Sequence, residues 1–77
     1  MFYIVTRFNI NQSGQEAHSQ QRYDDIKQAK KRYHSIIATD VDNDNYQYEL
    51  VEIIDSTNGI AIASEIFENP VLEQNAE

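Results

Sequence analysis

No cysteine occurs in this chain, so neither a disulfide nor a thiolate metal site can reinforce its fold. No apolar run is long enough to span a membrane. The N-terminal stretch Met1–Phe8 is short, has no basic segment before it, and is broken by Thr6 and Arg7. It reads as a first strand rather than a signal peptide, which makes the cytoplasm the expected compartment. Glycine and proline are scarce, at two and one, so each is read as a mark in the backbone. Lysine and arginine are missing altogether beyond Arg32. All six lie in residues 1–32 against three acids, a net of +3, while residues 33–77 hold ten acids and a net of −10, together the −7 of the whole chain.

A split of this size speaks about partners and solubility, not about fold. It predicts a two-faced surface, with a basic helix on one side and an acidic hairpin and tail on the other. The acidic excess argues against broad affinity for nucleic acid or anionic membranes, because the field of the whole molecule repels phosphate. The remaining composition is that of a folded chain, at 40% hydrophobic and 10% aromatic. Seventy-seven residues make one domain, near the size at which a single core is marginal and tight helix-on-sheet packing or oligomerisation is needed.

Period-two spacing sets the strands. Phe2, Ile4, Thr6, Phe8 and Ile10 alternate with Tyr3, Val5, Arg7 and Asn9, rich in β-branched and aromatic residues. Asn11-Gln12-Ser13-Gly14 follows as a turn, with Gly14 suited to positive φ. The polar stretch Gln15–Tyr23 is open to two readings: an edge strand with Ala17, Ser19 and Gln21 on one face, or an irregular loop. Asp24 and Asp25 then open a helix by capping its free N–H groups. Ile26, Ala29, Tyr33, Ile36 and Ile37 recur at helical steps to about Thr39, as one apolar stripe. The run from Asp40 to Asn45 breaks the helix. Tyr46–Asp55 is apolar in both phases, through either a bulge near Leu50 and Val51 or a central position covered on both faces. Asn58-Gly59 is the strongest turn signal, Ile60–Phe67 the last strand, and Pro70 its end. The fold expected is α+β: three or four antiparallel strands with one helix on one face (ββαββ or βαββ), a single domain over residues 1–69, and a mobile polar tail over 70–77.

Candidate chemistry is sparse. His18 and His34 are the only imidazoles, and neither lies in a recognisable nucleophile or acid–base context. A non-enzymatic role without cofactor is the expectation. Asp40, Asp42 and Asp44 alternate as in a calcium loop, yet Asn45 stands where glycine is wanted and Val51 where a closing Glu is wanted. A solvated loop is the better account, with weak calcium affinity as the alternative.

Two charged surfaces are candidate partner sites. Lys27, Lys30, Lys31 and His34 form a stripe on the outer face of the helix, able to dock phosphate or an acidic surface. Glu49, Glu52, Asp55 and Glu65 belong to the acidic hairpin. Same-face strand residues stand about 6.6–6.8 Å apart, close to the phosphate spacing of one nucleic-acid strand. Glu49 and Asp55 share a phase and Glu52 lies in the other, so only part of this set can form a row imitating phosphates.

The two blocks RFNINQSGQEAHSQQRYDDIKQAKKRYHSIIA and YQYELVEIIDSTNGIAIASEIF together resemble small proteins of phages and prophages of Gram-positive bacteria. The resemblance covers about residues 2–67 and implies a ββαββ chain with a mobile-element accessory role, in some cases inhibition of host defence machinery. It carries over no functional residue. The leading expectation is a protein-binding module acting through protein–protein contacts, with a homodimer as its expected form. The alternatives are an acidic nucleic-acid mimic and direct nucleic-acid binding through the basic helix.

Overall fold

The computed structural model describes residues 1–70, and the tail expected from residue 70 onward lies, Pro70 apart, outside the described residues. The chain runs β1 (Tyr3–Asn11), β2 (Glu16–Tyr23), α1 (Ile26–Asp40), β3 (Tyr46–Asp55) and β4 (Ile60–Glu68). The strands form one antiparallel sheet in the order β2-β1-β3-β4, so the fold is α+β in the ββαββ arrangement. The polar stretch after the first turn is a strand and not a loop. It lies at the edge, in unbroken register with β1 from Ile10↔Glu16 to Tyr3↔Tyr23.

Local chemistry accounts for the turns. Asn11 Oδ1 accepts from Ser13 N at 3.0 Å, Ser13 Oγ at 2.7 Å and Gln15 N at 3.0 Å, while Gly14 takes φ 92°. This one side chain gathers the donors that a tight reversal leaves free. In the second hairpin Asp55 Oδ1 accepts from Thr57 N at 2.9 Å, Asn58 Oδ1 from Ile60 N at 3.0 Å, and Gly59 takes φ 71°. Asp25 caps α1, its Oδ1 accepting from Lys27 N at 3.2 Å.

The helix lies on the phase of the sheet that carries Tyr3, Val5, Arg7 and Asn9. Val5, Val51 and Ile53 meet Ala29, Tyr33 and Ile36 there as the buried core, with Tyr3, Tyr23, Ile37, Ala63 and Phe67 packed around it. The predicted stripe is displaced toward its C-terminal end: Ile26 and Ile37 are only half-buried, and the buried series Ala29, Tyr33, Ile36 runs on to Asp40. Asp40 is therefore the last residue of the helix and not the first of the loop.

The other phase is the more apolar one. Ile4 pairs with Ile54, Phe8 with Leu50 and Leu50 in turn with Ile66, and Ile10 with Tyr48. Phe8 packs on Tyr48 with ring centroids 5.9 Å apart and on His18 at 4.7 Å, and the Arg22 guanidinium sits 4.1 Å above the Phe2 ring. No described element covers this face. β3 is thus central and apolar on both sides, with no bulge at Leu50 and Val51. Its irregularities lie at Ile10/Asn11 in the pairing with β1 and at Ile53/Ile54 in the pairing with β4.

Side-chain amides close one end of the sheet. Asn69 Nδ2 donates to Asn43 O at 3.1 Å and Tyr46 O at 2.9 Å, Gln47 Nε2 to Asn11 O at 3.1 Å, and Gln12 Nε2 to Asp44 O at 3.0 Å. The α1–β3 connection is held between the first turn and the end of β4.

Candidate functional site

Two features stand out against this scaffold. The first is a buried charged cluster where the end of α1 meets the central strands. Arg7 on β1 points at the helix, since it shares the phase of Val5 and Asn9. Its Nε donates to Glu49 Oε2 at 3.1 Å and its Nη2 to the Tyr46 hydroxyl at 3.1 Å, and Nη2 lies 2.8 Å from Asp40 Oδ2. The guanidinium also stands 5.5 Å from the centre of the Tyr46 ring. The Glu49 and Asp40 side chains are 1% and 3% exposed, against 25% for Arg7.

Two buried carboxyl oxygens in this cluster, Glu49 Oε1 and Asp40 Oδ2, have no hydrogen-bond donor. For Asp40 the close approach of Nη2 is an ion pair out of hydrogen-bonding alignment. Burial raises the Glu49 carboxyl to about 7, hydrogen bonding to Asp40 adds to the rise, and the charge of Arg7 opposes it. Burial works against the charge on Arg7, but Glu49 and Asp40 outweigh it and hold the guanidinium pKa above its usual value. One cation faces two carboxyls, which is a reason for one of them to keep a proton. Beside Arg7 a polar cleft of about 370 Å³ opens between β1, β2 and the start of β3, lined by Asn9, Asn11, Ser19 and Tyr46 among others.

The second feature is the helix-free face of the sheet. Ile66 is 53% exposed there, and Ile62, at the β4 irregularity, 48%. Charges lie at its margins, Arg22 and Glu16 at the ends of β2 and Glu68 at the end of β4. The exception is Glu52, which sits mid-face between Thr6 and Ser64.

The predicted acidic set does not form one surface. Glu49 is buried beneath the end of the helix and paired with Arg7, so it offers no charge to a partner. Glu52 lies on the helix-free face, opposite to the phase shared by Glu49, Val51 and Glu65. Asp55 caps the β3–β4 turn, and Glu65 is exposed on β4, where its charge and the burial of Tyr33 together raise the Tyr33 pKa, burial being the larger cause. Lys27, Lys30, Lys31 and His34 are all exposed on α1, as a solvent-facing side of the helix. A groove of about 340 Å³ runs beside them, lined by Tyr23, Gln28, Lys31, Arg32 and Ser35.

Arg7 and Asp40 join the site although neither belongs to the charged surfaces expected from the sequence. The signal for Asp40 is its place four residues after Ile36 on the buried stripe. Arg7 follows Tyr3 and Val5 in its strand phase and Glu49 precedes Val51 and Ile53 in its own, and a charge next to apolar residues of a buried phase needs a partner. Among the described residues no helix is long and apolar enough to cross a membrane, and no group of three or more potential metal ligands gathers. No family model, no curated protein and no solved structure matches this chain.

Proposed function

We propose that the chain is a protein-binding module that works as a homodimer through the helix-free face of its sheet. The observation that supports this is the apolar phase Ile4, Phe8, Ile10, Tyr48, Leu50, Ile54 and Ile66, left uncovered while the less apolar phase lies under the helix. A sheet with two apolar faces needs a layer on each, and the core beneath α1 holds only six buried apolar side chains. A second copy is the occupant present wherever the first is made.

Its size suits such a partner. Four strands about 4.8 Å apart and eight residues at about 3.3 Å each give a face of about 500 Å² in plan, near the lower bound of stable interfaces, about 600 Å² of accessible surface per partner. Apolar residues make up most of the face and, Glu52 at its centre excepted, its charges lie toward the rim. A two-fold axis along the strands, between β1 and β3, lays Glu52 of each copy over Thr6 of the other and Phe8 over Leu50. The central carboxylate then meets a hydroxyl donor instead of its own image.

Sedimentation tests this directly. The wild type sediments as a species of twice 9.0 kDa, and Ile66→Lys, at an exposed position, sediments as a folded monomer by circular dichroism. A wild type that stays monomeric at high concentration refutes the reading. Burial of Glu49 removes the row that phosphate mimicry needed, so that alternative is not favoured. The pattern shared with small phage and prophage proteins supports a mobile-element setting, which integrase, repressor or capsid genes beside the coding sequence would test.

A further inference from the structure

We propose that Asp40 and Glu49 share one proton, and that this proton latches the C-terminal end of α1 onto the sheet, so that losing it releases that end. The geometry carries the inference. Two carboxyl side chains, each more than nine-tenths buried, come from different elements, the last residue of the helix and the middle of the central strand. Each has an oxygen with no aligned hydrogen-bond donor, Glu49 Oε1 and Asp40 Oδ2, the latter in ion-pair contact with Arg7 Nη2. A proton held between them satisfies both at once, as the donor on one and the bond accepted by the other.

Without that proton, two carboxylates and the carbonyl end of α1 face one guanidinium. Asp40 stands where the helix dipole is itself negative. No second cation among the described residues relieves this. β1 presents Arg7 and neutral Asn9, β3 adds Tyr46, and β4 brings only Glu65, across from Val51. The helix-facing phase of β2 carries Ala17, Ser19, Gln21 and Tyr23, α1 adds Tyr33, and the connection to β3 holds Asp42 and Asp44. Asp40 is the member free to leave, because it ends a helix, whereas Glu49 is fixed between two paired strands.

The pH window follows from linkage. Glu49 titrates at about 7 when docked, against an ordinary value of 4.5. The docked form therefore binds more protons between these two values. Its advantage is complete below the lower value, declines as pH rises and is gone above the upper one. This latch lies on the opposite side of the sheet from the proposed dimer face, so either can fail without the other.

The test combines two measurements on the full chain. The ¹³C resonance of the Glu49 carboxyl is followed from about pH 3 to 9, a range that brackets both titration values. Amide hydrogen exchange is read at Val41, whose N–H donates to Ile37 O at 2.9 Å in the last turn, after correction for intrinsic exchange. The Glu49 resonance titrates near 7, and protection at Val41 falls by up to about tenfold per pH unit between about pH 5 and 7, then levels off. In Glu49→Gln, whose amide supplies the missing donor at every pH, protection stays constant. A carboxyl titrating at about 4–5, the ordinary range, or a Glu49→Gln profile parallel to wild type, overturns the proposal. Should that variant fail to fold, the titration of the wild-type carboxyl decides alone.

Discussion

Arg7→Met removes the only cation of the buried cluster while keeping the unbranched apolar stem, so most of its effect is the loss of the charge and of its hydrogen bonds to Glu49 and Tyr46. At about pH 8, above the folded pKa of Glu49, the folded variant must either hold Asp40 and Glu49 as bare carboxylates or keep Glu49 protonated against the solvent. Breaking a buried ion pair by deleting one partner costs about 3–5 kcal/mol. The contacts of Arg7 with Glu49 at 3.1 Å and Asp40 at 2.8 Å place the variant in that range. At about pH 5 Glu49 is already protonated when folded, so less buried charge is stranded and the cost drops to about 1.5–3 kcal/mol. A chain of 77 residues is worth about 4–12 kcal/mol in total. At the higher pH the variant therefore stands near the edge of unfolding. Urea unfolding followed by circular dichroism, at one fixed protein concentration, reads this as a midpoint lowered by about 2–5 M for a slope of about 1–1.5 kcal/mol/M. The companion variant Arg7→Met with Asp40→Leu and Glu49→Leu leaves no charge to strand, and should unfold within about 1 kcal/mol of wild type or above it. An Arg7→Met loss below about 1 kcal/mol at that pH refutes the account of the cluster.

The remaining predictions concern packing and turns. Ile36, 6% exposed in the core, should lose about 2–5 kcal/mol on replacement by Ala, measured by the same urea titration. Lys30→Asp, on the solvent side of α1, should stay within about 0.5 kcal/mol, and a large loss there would mean that this face is covered. Gly59→Ala meets no atom within 4 Å but must keep φ at +71°, so a loss of about 1–2 kcal/mol is expected from backbone conformation alone. An unchanged melting temperature would remove the claim that the turn depends on that angle.

Much of the fold is written in local chemistry. Asn58-Gly59, the Asn11 turn, the Asp25 cap and the period of β1 are decided within a few residues of where they act, so the residues themselves make them legible. Three things are not local. Alternation gives the period of β1 but not the side of the sheet that receives the helix, and burial of apolar area alone would favour the Phe2, Ile4 and Phe8 phase. The opposite phase wins, with Arg7 in it matched to Asp40 and Glu49. Asp40 sits in a run of Asp and Asn that reads as loop, and only the spacing of the buried stripe sets it apart. Glu49 resembles a surface acid because its counter-charge lies 42 residues earlier, on a strand whose neighbour is set by sheet order. The expected acidic face fails for that reason, while Lys27, Lys30 and Lys31, governed by helical period, are exposed as their spacing implies.

The strand order also dictates when the sheet can form. β1 with β2 and β3 with β4 are hairpins of neighbouring segments, but the two halves join only through β1 and β3, which lie far apart along the chain. That pairing closes the largest loop and is the slow, entropically costly step. During synthesis the first hairpin emerges with its polar strand guarding one edge, while the other edge, an apolar strand with open backbone groups, waits for residues 46–55. A pause in translating the helix lengthens that wait and invites strand pairing with other nascent chains. The polarity of β2 guards the wrong edge for this interval, and what shortens the exposure is the brevity of the sequence between β2 and β3.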